Sequence, residues 1–195
     1  MKRFPLPQAL VTATIVIPSL VVAVVNRNAE FAFYATVTVV LGVVIYVAHR
    51  RTGFPSALLW LLVGWAALHM AGGLLYVPEG LPALEPRVWY NFWFIPGYLK
   101  YDNVIHAYGF GVTAWACWCG LKSLGITRPT FGTLLLTWTA AQGFGACNEI
   151  VEFTATLLVE ETNVGDFNNA MWDLVANATG ALIACLAIAG FDRRT

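Results

Sequence analysis

Along this chain, long apolar stretches alternate with short clusters of proline, glycine, basic and acidic residues. A helix needs about 20 mostly apolar residues to cross the hydrocarbon core of a bilayer. Six stretches qualify, at roughly 8–25, 31–48, 56–77, 102–121, 131–158 and 170–190. The pattern predicts an all-α polytopic membrane bundle of about six transmembrane helices. It is expected to form a single integral-membrane domain over 1–195, without tandem repeats or a soluble domain. Pro18 falls inside the first stretch and is expected to bend it. Lys2 and Arg3 precede that stretch as they would in a signal peptide. No small-x-small cleavage site follows before NRNAE, so the segment is expected to be retained.

Between the third and fourth stretches, at about 78–101, four prolines rule out a continuous helix. The run WYNFWF within it is expected at headgroup level, as an aromatic anchor or as a lid over a lipid-facing site. Assigning alternate connections to opposite sides gives a charge asymmetry. One side holds Lys2, Arg3, Arg50, Arg51, Lys122, Arg128, Arg193 and Arg194; the other holds Arg27, Arg87 and Lys100. The positive-inside rule then places both termini in the cytoplasm of a cell inner membrane. Glu30, Glu79, Glu85, Glu160, Glu161 and Asp166 collect on the outer side.

Composition agrees with the pattern. The chain is 58% hydrophobic and 11% charged, with a mean hydropathy of +0.67, where a soluble domain carries about 25% charge. The net charge is zero, so there is no basic field for nucleic acid. Cys117, Cys119, Cys147 and Cys185 form no CxxC pair and are expected to pack as small hydrophobes.

Against this apolar background stand six ionisable side chains: His69, Asp102, His106, Glu149, Glu152 and Asp173. Each costs roughly 2.5–3.5 kcal/mol to insert at the centre of a spanning helix, so each needs partners or water. With the orientation above, all six lie at the outer leaflet's depth. Helical spacing gathers them into stripes: Asp102, His106, Gly109 and Thr113; Gln142, Gly145, Glu149, Glu152 and Thr156; Asp166, Asn169, Asp173, Asn177 and Gly180. The stripes are expected to face one another, with Gly72, Gly73, Gly109, Ala176, Gly180 and Ala184 allowing close approach.

Three chemistries fit this set. Two histidines and four carboxylates match the inventory of dinuclear metal sites in helical bundles, so His69, Asp102, His106, Glu149, Glu152 and Asp173 are candidate ligands of a divalent metal ion. The usual Glu-x-x-His signature is absent, however; the local pairs are Asp-x-x-x-His and Glu-x-x-Glu. A second reading is acid–base or proton-relay catalysis by His106, Glu149, Glu152 and Asp173. The third is a satisfied hydrogen-bond network that fixes helix register. Single members have simpler readings: His69 as a packed core histidine, Asp173 as a favourable charge at a helix start. No Gly-rich phosphate loop, HExxH or serine elbow occurs. The NAT at Asn177 sits inside a helical stretch, and His49 is expected at the interface.

At these residues the chain resembles the YjdF family of bacterial inner-membrane proteins. The resemblance rests on LHMAGG around His69, YDNVIHAYGFG around Asp102 and His106, and NEIVEF followed by WDLVANATGA, and covers about 65–185. The order D-x-x-x-H, E-x-x-E, D-x-x-x-N-x-x-G is also similar to VanZ-like proteins. The resemblance implies that the family's polar motif falls on His69, Asp102, His106, Glu149, Glu152 and Asp173, and it brings no activity with it. Asn103 stands where the family has arginine, Phe153 replaces a tryptophan, and VGDFNNAMWD varies the family's GTQGD-x-WD stretch. The expected function is that of an inner-membrane protein whose outward-facing His/carboxylate site serves an envelope or lipid-linked substrate. The alternatives are a non-catalytic structural or partner-binding membrane module, and a small-molecule transporter. Against transport, the inner halves of the helices carry no ionisable residue.

Overall fold

A computed structural model describes residues 5–191; Lys2, Arg3, Arg193 and Arg194, which entered the charge asymmetry, lie outside them. Six helices follow in order: α1 (Leu6–Val25), α2 (Ala29–Thr52), α3 (Ser56–Leu74), α4 (Tyr101–Ser123), α5 (Phe131–Leu158) and α6 (Phe167–Phe191). The chain is nearly all α. Five of these helices are long and apolar enough to cross a membrane. The exception by composition is α5, whose 28 residues include Gln142, Asn148, Glu149 and Glu152. It runs antiparallel to α6 and α4, with Cys185 on the Leu134 carbonyl near one end and Glu149 beside His106 toward the other.

Local chemistry sets the helix ends. The Asn28 side chain accepts the Phe31 N–H at 2.9 Å and opens α2. Gly53, at φ 73° in the left-handed region, closes it. The Thr130 hydroxyl accepts the Thr133 N–H to start α5, and Asp166 does the same for Asn169 at the head of α6. Asp173 therefore lies in the second turn of α6, and is fully buried; the start of the helix belongs to Asp166. The first helix runs unbroken through Pro18.

The third helix stops at Leu74, short of the expected 77, because Tyr76 and Val77 pair in extended form with Val88 and Arg87. From there to Lys100 the chain is irregular, with a 3-10 turn at Trp89–Asn91 and a short antiparallel pair, β1 (Trp93–Ile95) and β2 (Leu99–Lys100). This segment, the 159–166 connection and the 26–28 turn share one end of the bundle, called the hairpin end below. Asn91 donates to Asn163 at 2.8 Å, and the Asn163 N–H donates to Glu30 at 2.9 Å, tying the three together.

The tightest seam is between α4 and α6, which run parallel. Gly180 lies against the backbone of Ala107, where a Cβ would stand 1.8 Å from the carbonyl oxygen. A Cβ at Gly111 would stand 3.1 Å from the Gly180 carbonyl oxygen. Such small-residue contacts let two helices approach without side chains between them. By contrast, α1 and α2 turn valine and leucine side chains outward, as lipid-facing helices do.

Candidate functional site

The polar site lies in the hairpin half of the bundle, where α4, α5 and α6 meet. His106, on α4, is its hub and is only 8% exposed. One ring nitrogen, Nδ1, donates to the Asn177 side-chain oxygen at 3.1 Å. That bond places the proton on Nδ1 and leaves the Nε2 lone pair free in the neutral ring. Nε2 faces Asp102 Oδ1 at 3.6 Å and Glu152 Oε1 at 3.8 Å. Both distances are too long for a hydrogen bond. On the other side of the ring, Glu149 Oε1 stands 3.9 Å from Nδ1 and has no hydrogen-bond partner although buried.

Asparagines bind the carboxylates together. Asp173 accepts from Asn103 at 3.1 Å and from Asn169 at 2.7 Å, one bond to each oxygen. Glu152 accepts from Asn148 at 2.7 Å. Lys100 lies 3.4 Å from Asp102 and also donates to Asn169. Among the described residues it is the one lysine or arginine paired with the cluster. Four carboxylates thus face one lysine and one imidazole, an excess of negative charge in surroundings that solvate charge poorly.

Two overlapping donor triads share His106. Donor atoms of Asp102, His106 and Asp173 lie within 4.8 Å of one another, as do those of His106, Glu149 and Glu152. An ion with bonds of about 2.1 Å in tetrahedral geometry holds its ligands roughly 3.4 Å apart. The spacings around Nε2 are close to that.

His69 stands apart from these triads. It lies on α3, across a small cavity of about 40 Å³ also lined by Glu30, Tyr90, Asp102, His106 and Glu152. Its ring stacks on Trp65 at 5.0 Å with 12° between planes, and its Nδ1 is taken by the Tyr90 hydroxyl. Burial, together with the nearby Asp102 and Glu152 carboxylates, holds the Tyr90 phenol well above its ordinary pKa. The phenol therefore stays protonated, and its hydroxyl occupies His69 Nδ1. The candidate ligands thus fall into a group of five around His106 and a His69–Tyr90 pair facing them.

Three participants were not among the candidates. Glu30, counted with the outer-loop acids, is 7% exposed and lines the cavity. Tyr90, inside the aromatic run, packs its ring where Gly72 has no side chain instead of serving only as an anchor. Lys100, counted as a loop cation, joins the cluster. The only sequence signal was its place two residues before Asp102. His49, expected at the interface, is buried beside Phe54. The four cysteines are free thiols.

A protein-family model described as "Predicted membrane protein (DUF2238)" matches residues 7–194. No curated protein and no solved structure matches the chain.

Proposed function

The chain belongs to that membrane-protein family, and from this premise we propose that it holds a divalent metal ion within the outer half of the bilayer and uses it on an envelope or lipid-linked substrate. The observation that carries the reading is His106: the residue is buried, and its Nε2 stands 3.6 Å from Asp102 Oδ1 and 3.8 Å from Glu152 Oε1, too far from either for a hydrogen bond. His106 would be the shared ligand, with Asp102 and Asp173 on one side and Glu149 and Glu152 on the other. Asn177 would orient the imidazole and Asn148 the Glu152 carboxylate, as outer partners of metal ligands do. Carboxylates with a single imidazole suit zinc, manganese or iron. Such an ion supplies Lewis-acid activation of a phosphoryl or carbonyl oxygen or of water. His69 and Tyr90, hydrogen-bonded to each other across the cavity, are the groups that could exchange a proton with a substrate there. The YjdF-like motif order belongs to this proposal, since it names the same histidines and acids.

Elemental analysis of the full chain, purified in mild detergent, tests the reading. About one divalent transition-metal ion per chain is expected, released by chelator with an accompanying fall in thermal stability. Absence of metal both as purified and after incubation with zinc or manganese would end it. A second reading, a self-satisfied structural network, is favoured by Asp173, whose two oxygens are both taken by asparagines. It predicts chelator-insensitive stability.

The orientation belongs to the same proposal. Reporter fusions after Arg51, Gly125 and Thr195 should report cytoplasm, and fusions near Arg27, Glu85 and Asn163 the outside. Reporters consistently reversed would turn the site toward the cytoplasm and remove the envelope substrate. Of the outer-side cations, Arg87 is held by the Pro78 and Leu81 carbonyls and Lys100 by Asp102.

A further inference from the structure

The small cavity between His69 and the His106 cluster is walled by two kinds of side chain. Aromatic rings come from four segments: Phe31 and Tyr34 from α2, Trp65 from α3, Tyr90 from the irregular segment and Phe110 from α4. Carboxylates come from Glu30, Asp102 and Glu152, and no lysine or arginine is among the lining residues. Glu30 stands apart from the other two acids, because it belongs to neither donor triad. A carboxylate has about four lone-pair sites, and the Asn163 N–H uses one of those on Glu30. One turn further along α2, Tyr34 is only 7% exposed, and its hydroxyl makes no hydrogen bond of ordinary geometry. The charged neighbours of that hydroxyl include the Glu152 and Glu30 carboxylates.

We infer that this cavity receives a primary ammonium group carried by the substrate. The inference rests on the reading above for the substrate itself, whereas the binding of the ammonium does not require a bound metal ion. Charge is the first argument. With Glu30 added, the carboxylates outnumber what Lys100 and one divalent ion neutralise, where uncompensated charge is costly. The walls then select an organic cation over a further metal ion. Hard cations need a shell of oxygens, about six to eight for calcium, and Glu30 falls in no set of such donors. Aromatic faces, by contrast, attract an ammonium within about 6 Å of the ring. The acceptors, finally, select a primary ammonium over a quaternary one. Glu30, Glu152 and the unpartnered Tyr34 oxygen call for N–H donors, and a trimethylammonium has none.

The full chain in dodecyl maltoside is titrated with ethylammonium, tetramethylammonium or potassium chloride at constant ionic strength, and metal content is measured on the same samples. Ethylammonium should raise the melting temperature saturably, and the other two salts should not. Glu30→Gln, whose amide oxygen still accepts the Asn163 N–H, should weaken that response about ten-fold or more with metal content unchanged. Tyr34→Phe should weaken it about five-fold without destabilising the amine-free protein, since its hydroxyl has no hydrogen bond to lose. Native mass spectrometry separates the two sources of the ammonium. Preference for dioleoylphosphatidylethanolamine over dioleoylphosphatidylcholine assigns it to a lipid headgroup; equal retention, with the ethylammonium response intact, assigns it to a soluble amine. No saturable response of the wild type to ethylammonium would overturn the proposal, as would an equal response to potassium or tetramethylammonium. An undiminished response in a folded Glu30→Gln protein would do the same; if that protein does not fold, Tyr34→Phe decides by the same criterion. An ethylammonium response in protein that takes up no metal sinks the metal reading alone, and metal without an ethylammonium response sinks only the ammonium site.

Discussion

Replacing Gly180 by leucine is expected to leave no monodisperse protein, and Gly180→Ala alone to lower stability by about 3 kcal/mol or more. A Cβ at this position would meet three backbone atoms of Ala107: the carbonyl oxygen at 1.8 Å, the carbonyl carbon at 2.5 Å and the Cα at 2.7 Å. Backbone cannot rotate away as a flexible side chain can, so α4 and α6 would have to separate by more than an ångström. That movement would also pull His106 from Asn177 and Asn103 from Asp173, because both bonds cross the same seam. The damage thus reaches the polar site from a residue that takes no part in it. Gly143, which has open space where its Cβ would be, is the control, and Gly143→Ala should be nearly neutral. Size-exclusion profiles and melting temperatures measure the difference. A Gly180→Ala protein as stable as the wild type would show that the seam is not as tight as described.

The second large effect is chemical and should leave the fold standing. If His106 is the hub of a metal site, as proposed, His106→Gln and Glu152→Gln should each abolish metal binding in a protein that remains monodisperse. Glutamine keeps much of the shape and hydrogen-bonding capacity, but offers neither an imidazole nitrogen nor a carboxylate to an ion. Glu149→Gln separates the readings further. In a structural network the change should be mild, because charge is lost and shape kept. Glu149→Leu should then cost more, by roughly 1–3 kcal/mol where a buried polar neighbour loses its partner. In a metal site Glu149→Gln should lower metal affinity, even though Glu149 Oε1 has no hydrogen bond to lose. Metal content by elemental analysis, read beside the melting temperature, distinguishes the two. Full metal occupancy in both His106→Gln and Glu152→Gln proteins would remove His106 as the hub. Loss of folding in both would point instead to an ion or network needed for assembly, which the chelator experiment on the wild type then resolves.

The number of helices, their approximate positions and the faces that carry polar residues were determined by the sequence by itself, whereas the end of α3 at Leu74 was set by the pairing of Tyr76 with Val88. Hydropathy in a bilayer is a local quantity: each stretch partitions according to its own side chains, so α1, α2, α3, α4 and α6 were legible one at a time. Helical periodicity likewise put Asn169, Asp173, Asn177 and Gly180 on one face without reference to any neighbour. What periodicity cannot convey is which helix that face meets, at what depth, and through which atom. Tertiary structure alone decided that Gly180 abuts Ala107, which sets α6 against α4 at the register where Asn177 reaches His106. It also decided that His69 faces the cluster but spends Nδ1 on Tyr90, as the path of the irregular 75–100 segment is fixed by contacts such as Asn91 to Asn163, 72 positions away. The same holds for Glu30 and Lys100. Each reads as an ordinary residue at a helix end, and each acquires its role only from groups that the fold brings from elsewhere, Asn163 for the first and Asn169 for the second. A charge at a helix end can be solvated by water or by protein, and only the packing of the other chain segments around it determines which.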